Sequence, residues 1–195
     1  MNAFDNQQNN KPLTEEQQQL DLLAGIANRN KSAMQRFYQC YRGKLASFLF
    51  RMVGSHSLVE EIFNDTMLAV WQQPERFEGR SKVSTWVYAI AYRQCLNRIA
   101  KEKKHRSVSS FDEEEGVYDS VNDDQVDLVK KALGNLSQDH RSVIELSYYL
   151  GCNYSEIANI MGCPENTVKT RMFHARKKLK AVISSLDVAV SIGKK

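Results

Sequence analysis

Apolar residues recur at steps of three and four through most of the first hundred positions, which is the spacing of one buried helix face. Pro74 and Gly79 interrupt this pattern once. The amino-terminal half is therefore predicted to be helical nearly throughout, with helices over residues 20–27, 33–52, 58–71 and 86–99.

The same period returns near the carboxyl terminus in two short segments. Ser155 is suited to cap a first helix, and Gly162 to end it in the left-handed conformation. Pro164 then presets the backbone for a second helix. The buried stripe of that second helix is predicted to consist of Val168, Met172, Ala175 and Leu179. Two helices with so short a turn predict a helix-turn-helix, preceded by two further helices over residues 126–136 and 139–150.

Composition divides the chain into two helical domains. Residues 1–12 offer few apolar groups and are predicted to be disordered. Residues 107–125 carry many Asp and Glu residues, no Lys or Arg, and little periodicity, which is typical of a linker. The predicted fold class is all-α, with two small helical domains, residues 13–106 and 126–186, a flexible acidic linker between them and a tail over residues 187–195.

Positive charge is concentrated on two segments, although the net charge is only +4. Residues 76–106 contain nine Lys and Arg residues against two Glu residues, and a second cationic run covers residues 169–180. Clusters of this kind are typical of surfaces that bind nucleic acid. Both predicted domains therefore carry a candidate nucleic-acid surface.

Other classes of function find little support in the sequence. No apolar run approaches the roughly 20 residues of a membrane span, and the first residues do not resemble a signal peptide. We therefore expect a cytoplasmic location without membrane insertion. The four cysteines form no Cys-x-x-Cys pair, so no metal site is predicted. Without a Ser/His/Asp arrangement or a Gly-rich phosphate loop, we expect no catalytic residue and no cofactor.

The outward face of the last helix suits the major groove of DNA. Arg and Lys read guanine edges there, Thr and Phe can contact a thymine methyl, and lysines hold phosphates. The alternative is an ordinary helical hairpin with a solvated basic face. The agreement of turn, apolar spacing and charge favours DNA reading, through Asn166, Thr167, Lys169, Thr170, Arg171, Phe173, His174, Arg176 and Lys177.

Three motifs give the chain a resemblance to bacterial RNA polymerase sigma factors of the extracytoplasmic-function type, a subfamily of the sigma-70 family. They are residues 58–71, LVEEIFNDTMLAVW; residues 76–98, RFEGRSKVSTWVYAIAYRQCLNR; and the helix-turn-helix. The resemblance covers roughly residues 20–106 and 130–185, which is nearly everything predicted to fold.

The segment 58–71 is similar to the acidic helix with which this family docks on the polymerase clamp. Carboxylates on an amphipathic helix can meet cations on a partner. For this helix viewed alone, the alternative is a solvated acidic face. The resemblance implies that the core-polymerase contacts are Glu61, Ile62, Asn64 and Asp65.

The segment 76–98 resembles the loop and helix that melt and read the minus-10 promoter element. Holding a base that has left its stack requires a polar pocket, stacking surfaces and a cationic path for the strand. Trp86 is expected to serve mainly in packing, and Tyr92 is the better stacking candidate. The implied contacts are Arg80, Ser81, Lys82, Val83, Ser84, Tyr92, Arg93 and Asn97.

The resemblance implies an alternative sigma factor that directs promoter-specific initiation for a stress or envelope-signal regulon. The helix-turn-helix would read the minus-35 element. Expected partners are core RNA polymerase, promoter DNA in its double-stranded and melted forms, and an anti-sigma factor that could recruit the protein to the membrane. The linker would either follow the RNA path of the polymerase or act as a plain tether.

Two rival functions use the same sequence features. A helix-turn-helix repressor or activator would act without being a polymerase subunit, but it would normally dimerise on a two-fold site and would not need residues 76–98. A nucleic-acid enzyme with a helical accessory domain would need a catalytic cluster, which is not apparent. Both are weaker interpretations of the chain than a sigma factor.

Overall fold

The computed structural model describes residues 13–106 and 133–192, with side chains described for residues 13–102 and 133–184. Four helices form an amino-terminal body: α1 (Glu15–Ala27), α2 (Lys31–Val53), α3 (His56–Gln72) and α4 (Val83–Arg106), with a 3-10 turn at Pro74–Arg76. Three helices form a carboxyl-terminal body: α5 (Gln138–Ile144), α6 (Tyr154–Met161) and α7 (Glu165–Ile192). Within the described ranges there is no strand, which confirms the predicted all-α class.

Local capping sets where the amino-terminal helices begin. Thr14 caps α1 by accepting a hydrogen bond from the backbone N–H of Gln17 at 3.2 Å. The side chain of Asn30 caps α2, and Ser55 caps α3. Gly54 ends α2 in the left-handed conformation, with φ of 71°, which favours glycine. These polar residues satisfy backbone groups that a helix end leaves unpaired.

The core of the amino-terminal body lies between α2, α3 and α4. Phe37, Leu45 and Phe48 of α2, Ile62 of α3 and Val87 of α4 have no exposed surface. Burial of each such side chain contributes roughly 1.5–3 kcal/mol before the entropy cost of ordering it. The resulting packing fixes which faces of α3 and α4 remain on the surface.

A helix-turn-helix forms the centre of the carboxyl-terminal body, as predicted. Gly162 ends α6 with φ of 65°, and Val168, Met172 and Ala175 are buried while Leu179 is half-buried. The start of α6 differs from the prediction, because Asn153 rather than Ser155 is its cap. Asn153 forms a reciprocal capping box with Glu156, whose side chain accepts from the Asn153 N–H at 2.8 Å.

The segment predicted as one helix over residues 139–150 is divided. Helix α5 continues into a π-helical turn, Glu145–Tyr149, closed by a hydrogen bond from the Leu150 N–H to the Glu145 carbonyl at 3.2 Å. A π-helical turn shifts the helix face of the residues that follow it by one position, and within this segment Glu145 is buried while Tyr148 is exposed. Spacing alone does not predict this shift.

Several sequence predictions fall partly or wholly outside the described residues. They are the disordered start over residues 1–12, the acidic linker over residues 107–125 and most of the helix over residues 126–136. At the other end, α7 continues to Ile192 and so passes residue 187, where the tail was predicted to begin. No helix in the described ranges is both long enough and apolar enough to cross a lipid bilayer.

The two bodies contact each other along two lines. Helix α4 packs against α6, and α2 packs against α5 and the π-helical turn. Glu145 lies in the second contact, where its carboxylate is 3.6 Å from the Arg51 guanidinium and its side chain is almost fully buried.

The protonation of Glu145 gives a pH prediction. Burial raises its pKa above the ordinary 4.5, more than the charges of Arg51 and Arg141 lower it. A raised folded-state pKa means that this contribution to stability is fully present below the unfolded pKa and lost as pH rises through the folded value. In urea titrations at stepped pH, Glu145→Gln should therefore gain stability over the unmodified chain as pH rises above about 4.5. The exposed control Glu60→Gln should show no such divergence, and equal pH profiles for all three chains would contradict the assignment.

Candidate nucleic-acid and polymerase-docking surfaces

The solvent face of α7 presents most of the side chains predicted to read DNA. Phe173 is 64% exposed, and Asn166, Thr170, His174, Arg176 and Lys177 are also exposed. Lys169 is exposed and forms an ion pair with Glu165, one helical turn earlier, at 2.9 Å. Because surface pairs of this kind are weak, Lys169 can exchange Glu165 for a DNA group at little cost.

Arg171 differs from its neighbours because it is held inside the carboxyl-terminal body. Its guanidinium lies 2.6 Å from the Asp139 carboxylate of α5 and 3.7 Å from the Cys163 sulfur. Only 27% of its side chain is exposed. Arg171 therefore joins α7 to α5 and can contact a base only if its ion pair with Asp139 rearranges.

His140 stands beside this surface and was not identified from the sequence. A depression between α5 and α7 is lined by His140, Asn166, Thr167, Thr170, Arg171 and His174. The Nδ1 atom of His140 is buried without a hydrogen-bond partner. Burial lowers the His140 pKa, and the nearby charges of Lys178 and His174 lower it further, so the ring is neutral at pH 7. A lone histidine in a predicted helix carries no spacing signal that could have indicated this position.

The loop before α4 carries an exposed cation next to a glycine. Arg80 is exposed and pairs with Glu78 at 2.8 Å, and Gly79 adopts a left-handed conformation with φ of 70°. At the start of α4, the Val83 N–H donates to the Glu16 carboxylate at 2.9 Å. Glu16 thus satisfies an N–H group at the helix start and ties the loop to α1.

The residues predicted for the minus-10 surface divide into an exposed and a buried group. Arg80, Lys82, Arg93 and Asn97 are exposed, and Ser81 and Ser84 are half-buried. Val83 has no exposed surface and only 2% of Tyr92 is exposed, so neither can meet a base in this arrangement. Trp86 packs edge-on against Phe77, with ring centroids 5.6 Å apart, which agrees with the packing role expected for it.

The acidic face of α3 carries three of the four predicted polymerase contacts. Glu61, Asn64 and Asp65 are exposed, and the Arg98 guanidinium of α4 lies 2.8 Å from Glu61 and 3.6 Å from Asp65. Ile62, the fourth, is wholly inside the core. Its contribution to docking can only be indirect, through the position of α3.

Leu68 is a candidate docking residue that sequence reasoning missed. Half of its surface is exposed, one turn beyond Asn64 and Asp65 on α3. It lines a shallow depression between α3 and α4 together with Asp65, Gln94 and Asn97. A single exposed leucine is ordinary on a protein surface, so it is the position of Leu68 beside Asn64 and Asp65 that makes it a candidate docking residue. Its spacing of three and four residues from Asp65 and Asn64 is the sequence signal that places it on this exposed face.

No group of three or more His, Cys, Asp or Glu residues in the described ranges is arranged to hold a metal ion. Burial raises the pKa of both the Cys95 and Cys152 thiols to about 12, which keeps them in the unreactive thiol form.

Two family models match the chain, and they coincide with these surfaces. Sigma-70 region 2 matches residues 37–105, which include α3 and the loop before α4. Sigma-70 region 4 matches residues 127–179, which include the helix-turn-helix. The chain belongs to the extracytoplasmic-function subfamily of the sigma-70 RNA polymerase sigma factors.

Similar proteins support this identification. The extracytoplasmic-function sigma factor SigL of Mycobacterium tuberculosis is 27% identical over 173 residues, covering 85% of this chain and 97% of SigL. The corresponding sigma-E factor of Haemophilus influenzae is 25% identical over 180 residues, covering 85% and 95%. Among solved structures, the sigma factor RpoE of Bartonella quintana, in complex with the anti-sigma factor NepR, gives a TM-score of 0.64 at 27% identity. That match covers 77% of this chain and 98% of RpoE.

Membership of this family decides between the three functions weighed from the sequence. The chain is an alternative RNA polymerase sigma factor, and sigma factors are transcription initiation factors. A regulator that acts apart from the polymerase would have no reason to carry region 2. The amino-terminal body of this sigma factor is therefore its region 2, and the carboxyl-terminal body is its region 4.

Proposed function

We propose that this sigma factor docks on core RNA polymerase through α3 and brings it to promoters that α7 reads. The observation that carries the proposal is the pair of separate, exposed surfaces on the two bodies. One is acidic with an exposed leucine, and the other is cationic with exposed aromatic and amide groups. Such surfaces suit a cationic protein partner and duplex DNA respectively.

The docking surface of region 2 consists of Glu61, Asn64, Asp65 and Leu68. The carboxylates of Glu61 and Asp65 share Arg98, so their charge is partly neutralised before a partner arrives. An incoming Arg or Lys can replace Arg98 at small cost, because these groups are exposed and already hydrated. Leu68 would supply the apolar anchor at the centre of the contact.

The two nucleic-acid surfaces bind different elements of the promoter. On α7, Lys169, Thr170, Phe173 and His174 face the groove of the minus-35 element, while Arg176 and Lys177 meet phosphates. Around α4, Arg80, Lys82, Arg93 and Asn97 would hold the melted minus-10 strand. Arg171 is reassigned from base reading to positioning, because Asp139 holds its guanidinium.

The partners of this sigma factor follow from the same roles. Core polymerase would supply all bond chemistry, so the sigma factor itself needs no catalytic group. Because that enzyme works on the chromosome, the site of action is the cytoplasm. The similar Bartonella sigma factor was solved with an anti-sigma factor. We infer that this chain too is held by one, which must cover α3 or α7 to prevent initiation.

Run-off transcription on fragmented genomic DNA tests the proposed function. Core polymerase is incubated with and without the purified chain, and the 5′ ends of the transcripts are mapped. We expect new start sites that share two upstream elements at constant spacing. Core polymerase that gains no start site on addition of the chain would overturn the proposal, whereas DNA binding without initiation would favour a regulator independent of the polymerase.

The reading role of Lys169 gives a further prediction. Lys169→Ala should weaken binding to the mapped minus-35 duplex by about 1–3 kcal/mol and relax the preference at one base pair. Lys177→Ala is the matched control, since loss of a phosphate contact weakens binding to every duplex alike. Fluorescence anisotropy with cognate and scrambled duplexes separates the two. Equal losses on both duplexes would reassign Lys169 to phosphate.

A further inference from the structure

Tyr148 lies on the surface of region 4 in an unusual backbone segment. It belongs to the π-helical turn that follows α5. With 66% of its surface exposed, it is the most exposed large hydrophobic side chain in the described ranges. Turns of this kind inside helices frequently occur at functional sites. The DNA and polymerase contacts predicted from the sequence do not include Tyr148, so they do not account for its exposure.

Arg176 of α7 is the neighbour of this ring. Its guanidinium carbon lies 5.6 Å from the centre of the Tyr148 ring, which is within the range of cation–π attraction. Arg176 is exposed, and it follows Phe173 by three positions, which places both on the same side of α7. Tyr148 therefore extends the surface proposed to face duplex DNA onto the helical segment before the helix-turn-helix.

The Tyr148 ring holds Arg176 differently from the way carboxylates hold other cations of α7. Lys169 pairs with Glu165 at 2.9 Å, and Arg171 pairs with Asp139 at 2.6 Å. These carboxylates partly neutralise the cations and must be displaced before a phosphate binds. A neutral ring instead orients the guanidinium and leaves its charge intact. A guanidinium can stack with its face and donate two N–H groups to a phosphate along its edge.

We propose that Tyr148 and Arg176 form a clamp for one phosphate group of duplex DNA. The Tyr148 ring positions the Arg176 guanidinium, and the Tyr148 hydroxyl donates a hydrogen bond to the same phosphate. The proposal rests on the proposed function, because Arg176 reaches the DNA backbone only when α7 lies in the groove. It adds to that function a DNA contact from outside the helix-turn-helix.

Anisotropy of a fluorescent duplex of mixed sequence, titrated with the full chain at stepped salt, tests the phosphate contact. A duplex of any sequence serves, since phosphates carry no sequence information. Arg176→Ala should weaken binding and make the slope of log affinity against log salt shallower by about 0.9. Arg42→Ala is the matched control, because Arg42 is an exposed cation of α2 outside both proposed DNA surfaces. Its slope should equal that of the unmodified chain.

Variants of Tyr148 separate the hydroxyl from the ring. Tyr148→Phe removes only the hydroxyl and should weaken binding by about threefold without changing the salt slope. Tyr148→Ala also removes the ring and should weaken binding by at least about tenfold. In the Tyr148→Ala chain, the loss caused by Arg176→Ala should be at least about threefold smaller than in the unmodified chain. In the Tyr148→Phe chain that loss should be complete, because the ring remains.

Other results would overturn the clamp. Additive losses for Tyr148→Ala and Arg176→Ala exclude positioning by the ring, and normal binding by Tyr148→Phe excludes the hydroxyl contact. An unchanged salt slope for Arg176→Ala excludes the phosphate contact. Urea midpoints show whether each variant is folded, and Tyr148→Leu, which lacks a π face, replaces Tyr148→Ala if that variant does not fold.

The same titrations distinguish failure of the clamp from failure of the proposed function. An unmodified chain that does not bind the duplex would contradict both. A chain that binds the duplex and loses affinity in Lys169→Ala, but not in the Tyr148 variants, would keep the proposed function and lose the clamp alone.

Discussion

Asp65→Lys is expected to abolish assembly of the sigma factor with core polymerase, with a loss of affinity of at least about a hundredfold, or 2.8 kcal/mol. The exposed Asp65 carboxylate would be replaced by a cation on a surface proposed to meet cations, and like charges across an interface cost several kcal/mol. The fold should survive, because Arg98 keeps its closer partner Glu61 at 2.8 Å.

Asp21→Lys is the matched control for this variant. Asp21 is exposed on α1 and hydrogen-bonded only to Gln17 among the described contacts, at 3.1 Å, and the net charge changes equally. When labelled chain is titrated with core polymerase, Asp21→Lys should assemble nearly normally, whereas Asp65→Lys should not. Binding of the minus-35 duplex by the free chain should be the same for both variants. Normal assembly of Asp65→Lys would refute the docking assignment.

The largest effect on stability is expected for Ile62→Ala, at about 2–5 kcal/mol of unfolding free energy. Ile62 has no exposed surface, so truncation leaves a cavity between α2, α3 and α4. Leu68→Ala, two turns later on the same helix, should cost less than about 1 kcal/mol, because half of that side chain already faces solvent. The two substitutions thus remove similar volumes from one helix with opposite expected consequences.

The two variants should rank in the opposite order when their affinity for core polymerase is measured. Leu68→Ala removes the apolar anchor of the proposed docking surface and should weaken assembly by more than 1 kcal/mol, or over about fivefold. Ile62→Ala should leave the affinity of folded molecules nearly unchanged. Urea titrations give the first quantity and titration with core polymerase the second. A stable Ile62→Ala chain that no longer assembles would make Ile62 a direct contact after all.

Features that depend on neighbouring residues are easier to predict from the sequence than features that depend on contacts between residues far apart in the chain. Gly162 and the Val168–Met172–Ala175 stripe are local signals, and the structure confirms both. The cap of α6 is Asn153, two residues before the predicted Ser155. Several neighbouring residues can cap a helix, and the reciprocal hydrogen bond with Glu156 decides among them.

Helical periodicity does not show which side chains are held by other helices, and tertiary contacts decide this. Arg171 looks like a reading residue on the helix, yet Asp139, which is 32 positions earlier, holds it. Tyr92 looks like a stacking group on α4, yet α5 covers it.

The sequence by itself determined the all-α class, the helix-turn-helix, the two cationic segments and the family, because helix signals and motifs extend over only a few residues. The tertiary structure alone decided which assigned side chains are free to bind. Exposure and ion pairing depend on groups brought together from distant positions, and no spacing along the chain specifies those encounters. For this sigma factor, that difference separates the residues that can bind DNA or polymerase from those that position them.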